Sequence, residues 1–175
     1  SMITPPATVQ LTAEGTLDWA HWGLGTATDF NHKAGVAQQI SNFALAAGGT
    51  PFRYGNNPSG FTWTDGVPTG STSNSTTGIY ITGQNNGFRI AAPADTATRI
   101  LRVYVGVWRT QGRLVAHLSD ASAPDFVDTS LTNSAGPTTD GAYILRYSAA
   151  SPGQTLTVTF TNDTANGWPP DAVAW

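Results

Sequence analysis

An all-β fold, a β-sandwich, is what this sequence predicts, and three observations carry the prediction. The 175-residue chain has one Glu (Glu14) and one Lys (Lys33) against 26 Thr, 19 Gly and 11 Pro. Glu and Lys favour helices, Thr favours strands, and Gly and Pro favour turns. Apolar residues also alternate with polar ones over short runs, and turn residues punctuate those runs at close spacing. This pattern argues against a helical bundle, a coiled coil or a helix-rich α/β enzyme.

Taken in order, Val9 to Thr12 alternates and ends at Glu14-Gly15. From Leu17 to Trp22 the chain alternates again, with Leu17, Trp19 and His21 on one face and Asp18, Ala20 and Trp22 on the other. Residues 23–37 read as a loop, with a weak helical signal near 33–40. Ile40 to Leu45 reads as a strand and 48–60 as a second loop region. Phe61, Trp63 and Asp65 alternate with Thr62 and Thr64, and Asp65-Gly66 ends that strand. Ile79-Tyr80-Ile81 and Phe88-Arg89-Ile90 flank a turn in which Asn86-Gly87 supplies positive φ angles, which predicts a hairpin. Arg99 to Trp108 is the longest apolar-rich run. Gln111-Gly112 is expected to fold it back on Arg113 to Leu118 as a second hairpin. Leu101, Val103, Val105 and Val107 form an aliphatic stripe on it, continued by Leu114, Ala116 and Leu118. These faces are expected to meet another sheet. Phe126 to Leu131, Ala142 to Tyr147, Leu156 to Phe160 and Ala172 to Trp175 complete about a dozen strands, the number and spacing of a sandwich or barrel. Residues 1–6 read as an expression scar and linker, with 7–175 as one β-sandwich domain. No repeat of 20–50 residues is present.

Charge and composition narrow the function. The net charge is −3 and the isoelectric point near 5.4, without a basic run. Nucleic acid or an anionic membrane as partner is therefore not expected. No apolar stretch approaches the ~18 residues of a spanning helix. Cys is absent, which excludes disulfides, thiolate metal sites and a Cys nucleophile. There is no G-x-S-x-G elbow, no H-E-x-x-H helix and no phosphate-cradling loop. His21, His32 and His117 lie far apart in sequence, without metal-ligand spacing. Each is expected to have a structural role.

Aromatic residues are the better lead. Six Trp, five Tyr and seven Phe are present. A sugar stacks its C–H face on such rings while Asn, Asp, Gln and Arg bond its hydroxyls. Two groupings fit that chemistry. Trp108, Tyr104 and Arg102 share the face of the long strand opposite its aliphatic stripe. Tyr54, Asn56, Asn57, Trp63 and Asp65 cluster near a loop edge. Trp22 is a further candidate, and Trp19 is expected in the core. The turn Gln84-Asn85-Asn86 is expected to add polar contacts.

Two segments carry a resemblance. One is Ala13-Glu14-Gly15-Thr16-Leu17-Asp18-Trp19-Ala20-His21-Trp22-Gly23 with Asn31-His32-Lys33-Ala34-Gly35. The other is Pro93-Ala94-Asp95-Thr96 and Leu101-Arg102-Val103-Tyr104-Val105-Gly106-Val107-Trp108, then Leu118-Ser119-Asp120 and Val127-Asp128-Thr129. Together they resemble β-rich accessory modules of bacterial secreted multi-modular proteins, similar to galactose-binding-like jelly-roll carbohydrate-binding modules. The resemblance implies a jelly-roll sandwich and a non-catalytic module that binds polysaccharide or oligosaccharide. It also implies secretion or display at a bacterial cell surface, contacts with other modules of a parent chain, and a monomer. It further implies a structural Ca2+ held by Glu14 and Asp171, completed by carbonyls and water because calcium takes about six to eight oxygens. The alternatives are a spacer or adhesive protein-contact module, or, more weakly, a glycan-active hydrolase using an Asp pair.

Overall fold

The structure, a computed structural model, describes residues 1–165 and 172–174. The N-terminal third is cut into short pieces because glycines, prolines and asparagines recur every few residues. It holds β1 (Met2–Ile3), β2 (Thr8–Gln10), a single helical turn α1 (Leu11–Glu14), β3 (Ala20–Trp22), β4 (Phe30–Lys33), β5 (Ala44–Leu45) and β6 (Phe52–Tyr54). Next come β7 (Gly60–Trp63), β8 (Gly66–Val67), β9 (Thr72–Ser75) and β10 (Gly78–Thr82). Longer alternating runs give longer strands: β11 (Gly87–Ala94), β12 (Arg99–Trp108) and β13 (Thr110–Leu118). The remainder is β14 (Phe126–Asp128), β15 (Thr139–Tyr147), β16 (Gln154–Ala165) and β17 (Ala172–Ala174).

Two large antiparallel sheets hold the main core between them. One has the strand order β1-β15-β12-β17-β10-β6, the other β14-β13-β16-β11-β5. The expected aliphatic stripe is inside, with Leu101, Val103, Val105 and Val107 all buried, as are Leu114, Ala116 and Leu118. Leucines and valines so placed contribute roughly 1.5–3 kcal/mol each. Two three-stranded sheets, β2-β7-β9 and β3-β4-β8, are built from short strands between Thr8 and Ser75. They bring a second small core, Val9, Leu11, Trp19, Phe61 and Trp63, against Tyr104 on the outward side of β12.

Several expectations are corrected. Neither predicted hairpin forms. β12 pairs with β15 and β17, whereas β13 pairs with β14 and β16. The chain turns from one layer to the other at Arg109, whose φ is +56°. The two aliphatic faces therefore meet across the main core from opposite layers. β10 and β11 also part into different sheets. Their link has its positive φ at Gly83 (+97°) and Asn85 (+65°), not at Asn86-Gly87. Gly87 is needed for close approach instead: a Cβ there would sit 2.0 Å from the Phe160 carbonyl oxygen. Strand character in 9–12 gives way to α1 after Gln10, and 40–45 is extended only at Ala44–Leu45. The loops expected at 23–37 and 48–60 contain β4 and β6. Residues 1–6 are tied down rather than trailing as a linker: Met2 and Ile3 pair with Tyr143 and Ala142, and Pro6 accepts a bond from Ser59.

Candidate functional site

The site arises where strand pairing changes along β12. On one edge β12 pairs with β15 from Arg99 to Val107. On the other it pairs with β17 only over Gly106–Trp108. Among the described residues, no strand covers that second edge from Arg99 to Val105. The segment Leu11–Trp22 packs near it, and a cavity of about 180 Å³ remains between the two. A cavity at a strand edge is lined from both faces of the strand. Ile100, Arg102 and Tyr104 reach it from the outward face, Leu101 and Val103 from the inward one.

Its wall is apolar and aromatic. Leu11, Trp19, Ala20, Trp22, Phe61 and Ile90 are among the side chains that form it. Period-2 alternation in the 19–22 segment puts Trp19 in the small core and Trp22 in the main one. That segment therefore bridges the two cores. The exposed side chains at the rim are Leu17 (60% exposed), Ile100 (57%) and Thr16 with Arg102.

Polar groups around the cavity are mostly engaged within the protein. The Asp18 carboxylate accepts from the Trp19 N–H at 2.9 Å and, on its other oxygen, from the Gln39 and Ile40 N–H groups at 2.7 and 2.8 Å. Trp22 donates its indole N–H to Asn42 at 2.8 Å, and Trp19 donates to Asp65 at 2.9 Å. The His21 Nε2–H donates to the Thr77 carbonyl at 3.1 Å. Burial pushes that imidazole down to about 4, and the Thr77 bond offsets the effect only in part. Its Nδ1 is buried without a partner.

At the rim the arrangement differs. Tyr104 donates its hydroxyl to Glu14 Oε2 at 2.7 Å, and Arg102 Nη1 stands 3.7 Å from the same oxygen. Burial, followed by the bond to Glu14 and its charge, pushes the Tyr104 phenol above the ordinary tyrosine range. The Arg102 side chain is 44% exposed. Glu14 and Arg102 thus present an acceptor and a donor side by side, with opposite charges that offset one another.

The sequence candidates divide. Arg102, Tyr104 and Trp22 meet at this cavity. Trp63 does not present a ring to solvent. It is fully buried against Trp19 and His21, with its N–H bonded to the Thr69 carbonyl at 2.9 Å. Asp65 is a tether that accepts from Thr12, Trp19 and Lys33. Burial opposes its ionisation, but those three bonds outweigh it and hold the carboxyl below its ordinary value. Tyr54 accepts from the Asn57 amide at 2.9 Å, and Asn57 in turn accepts from the Ser59 N–H. Both border a void of about 10 Å³, room for one water at most. Asn56 is exposed away from the cavity lining. Trp108 is half-buried elsewhere on the sheet, bonded to the Gly136 carbonyl at 3.1 Å, with the Arg109 guanidinium 5.3 Å from its ring centre. Sequence reasoning did not single out Leu17 or Ile100 for the site. Isolated apolar side chains on a protein surface are ordinary and carry no signal.

Calcium at Glu14 does not fit the described residues. Its carboxylate faces a hydroxyl donor and a guanidinium, which would repel a cation. No group of three or more His, Asp or Glu that could hold a metal occurs among the described residues. Asp171, the other expected ligand, lies outside the described residues, as do Trp168 and Trp175.

No family model matches the chain, and no curated protein matches it. Among solved structures it is similar to the crystal structure of the bacteriophage CBA120 tailspike protein 4 enzymatically active domain. The identity is 12%, the TM-score 0.44, and the match covers 77% of this chain. It spans 18% of the length of that chain. The neighbour is described as enzymatically active, so the expectation that this chain performs no catalysis is withdrawn. At this score and identity the likeness transfers neither a fold nor an activity in its place.

Proposed function

We propose that this chain is a glycan-recognising domain that takes one sugar residue in the cavity between the Leu11–Trp22 segment and β12. The observation that carries the proposal is the pairing of a ring-sized apolar hollow with a donor–acceptor rim. At about 180 Å³ the hollow has room for a six-membered ring, since a cavity of roughly 150 Å³ accommodates benzene. Trp19, Trp22 and Phe61 give it aromatic walls for a sugar's C–H face. Glu14 and Arg102 offer one acceptor and one donor to neighbouring hydroxyls. Because their charges offset, a neutral sugar suits the rim better than an acidic or basic ligand.

The same reading takes the two large sheets as a jelly roll of the galactose-binding-like type. Their wholly antiparallel pairing, with β1 and β17 in one sheet, supports it. It also takes the chain as a secreted or surface-displayed module. The low share of charged residues, 11%, supports this, as surface polarity then rests on Thr, Ser, Asn and Gln.

A glycan microarray probed with wild type and Arg102→Ala tests the function. Arg102 is exposed, so its removal leaves the core intact. Wild type is expected to bind a related set of glycans, and Arg102→Ala to bind them about 10-fold more weakly or worse. An array left blank by the wild type, or equal binding by both proteins, overturns the proposal.

A further inference from the structure

The sugar reading leaves open which groups besides the Glu14–Arg102 rim hold the ring's hydroxyls, and the following inference rests on that reading. Beside the cavity β12 has a bare edge, and the direction of its backbone groups follows from the pairing on its other side. Ile144 of β15 spends both its N–H and its C=O on Ser1, at 2.8 and 3.1 Å. It therefore makes no main-chain bond to Arg102, which stands opposite it on β12. In an antiparallel pair, bonded and non-bonded positions alternate, and a residue not bonded on one side directs both groups to the other. Arg102 thus turns its N–H and C=O away from β15, as do Ile100 and Tyr104. Gly106 and Trp108 are in the same phase, and there Ala174 and Ala172 of β17 stand opposite them. Among the described residues, no strand stands opposite Ile100, Arg102 and Tyr104 on that edge. All three line the cavity.

The N–H and C=O of one extended residue lie side by side and point the same way. Whatever takes the place of a partner strand must offer an acceptor and a donor as neighbours. Two hydroxyls on adjacent ring carbons do this, one accepting from the N–H and the other donating to the C=O. A backbone group shut away from water without a partner costs free energy, which favours a ligand that satisfies both. The cavity is ring-sized, and the Leu11–Trp22 segment lies across it from β12, so the space suits a sugar ring rather than a further strand. We infer that the bare edge of β12 is part of the glycan site. The main chain of Arg102 bonds a vicinal diol of the bound sugar, its N–H to one hydroxyl and its C=O to the neighbouring one. The ligand class is a neutral sugar with two adjacent free hydroxyls, read by the backbone as well as by the Glu14 and Arg102 side chains.

Amide hydrogen exchange followed by NMR tests this on the wild-type protein, first free and then saturated with the best-binding glycan of the microarray. In the free protein the Leu101 and Val103 amides, which face β15, are expected to exchange slowly, and those of Ile100, Arg102 and Tyr104 fast. Saturation is expected to slow the Arg102 amide about 10-fold or more and to shift its proton downfield, with Leu101 and Val103 unchanged. Arg102→Pro deletes that N–H without touching the β15 ladder, a place in a sheet where proline is tolerated. It is expected to bind about 10-fold more weakly than Arg102→Ala, with an unchanged circular dichroism spectrum. If the proline variant does not fold, the wild-type exchange decides alone. An Arg102 amide already protected before glycan is added overturns backbone recognition and leaves glycan recognition standing. So does one that keeps its rate and shift at saturation, or equal binding by the two variants. A microarray left blank by the wild type overturns both.

Discussion

Neighbouring aromatic residues in this chain have opposite fates, and alternation is the reason. Trp19 and Trp22 lie three residues apart yet enter different cores. Phe61 and Trp63 share a face, and both belong to the small core, while the threonines between and after them face outward. The period-2 pattern thus already pointed Trp63 inward. The loop signals around it, which made it a binding candidate, concern the backbone and not the direction of this side chain. His21 has the most testable chemistry at this scale. Its imidazole is held near 4 in the folded protein against 6.5 for the free side chain, because burial disfavours the charged form. The unfolded chain therefore binds more protons between those values, and stability falls as pH drops from 6.5 toward 4. The loss amounts to about 3 kcal/mol. Chemical denaturation at pH 7 and pH 4.5 measures it. His21→Gln, which keeps a donor for Thr77 but does not titrate, is expected to lose less stability over that interval than wild type. An equal loss would contradict the assignment.

The strands themselves were well marked in the sequence, but their partners were not. Leu101 to Val107 and Leu114 to Leu118 display the alternation of half-buried strands, and these side chains are inside. A turn between two such runs predicts pairing only if the strands lie in one layer. At Arg109 the backbone takes a left-handed value and carries the chain into the other layer. Local residue types do not encode that choice, which depends on which faces meet across the core. The link between β10 and β11 follows the same rule. There Gly87 lies so close to Phe160 that a methyl group has no room. Gly87→Ala is expected to destabilise the fold by about 1–3 kcal/mol, the usual range for overpacking, through a displaced β11–β16 pairing. Thermal unfolding checks this, and an unchanged midpoint would show that β16 can yield at that position.

At the scale of the whole molecule, the cavity is a consequence of layering. Two large sheets make one core, and residues between Val9 and Trp63 add a second against the outward face of β12. The cavity lies where those cores meet, beside the stretch of β12 that β17 does not cover. Arg102, Tyr104 and Trp22 were legible as a polar and aromatic set because each lies on a recognisable strand. Their convergence with Glu14, Leu17 and Ile100 was not, since contacts up to 90 residues apart in sequence, such as Tyr104 to Glu14, leave no local trace. The indoles of Trp19, Trp22, Trp63 and Trp108 offer the most direct test, because they sample both cores and the outer sheet face. Their N–H signals can be followed in a 1H–15N correlation spectrum during titration with the best-binding glycan from the array. Trp19 and Trp22 line the cavity, whereas Trp63 and Trp108 do not. The account predicts saturable shifts of the Trp19 and Trp22 indoles, with that of Trp108 unmoved. Saturable shifts centred on Trp108, with Trp19 and Trp22 still, would contradict it.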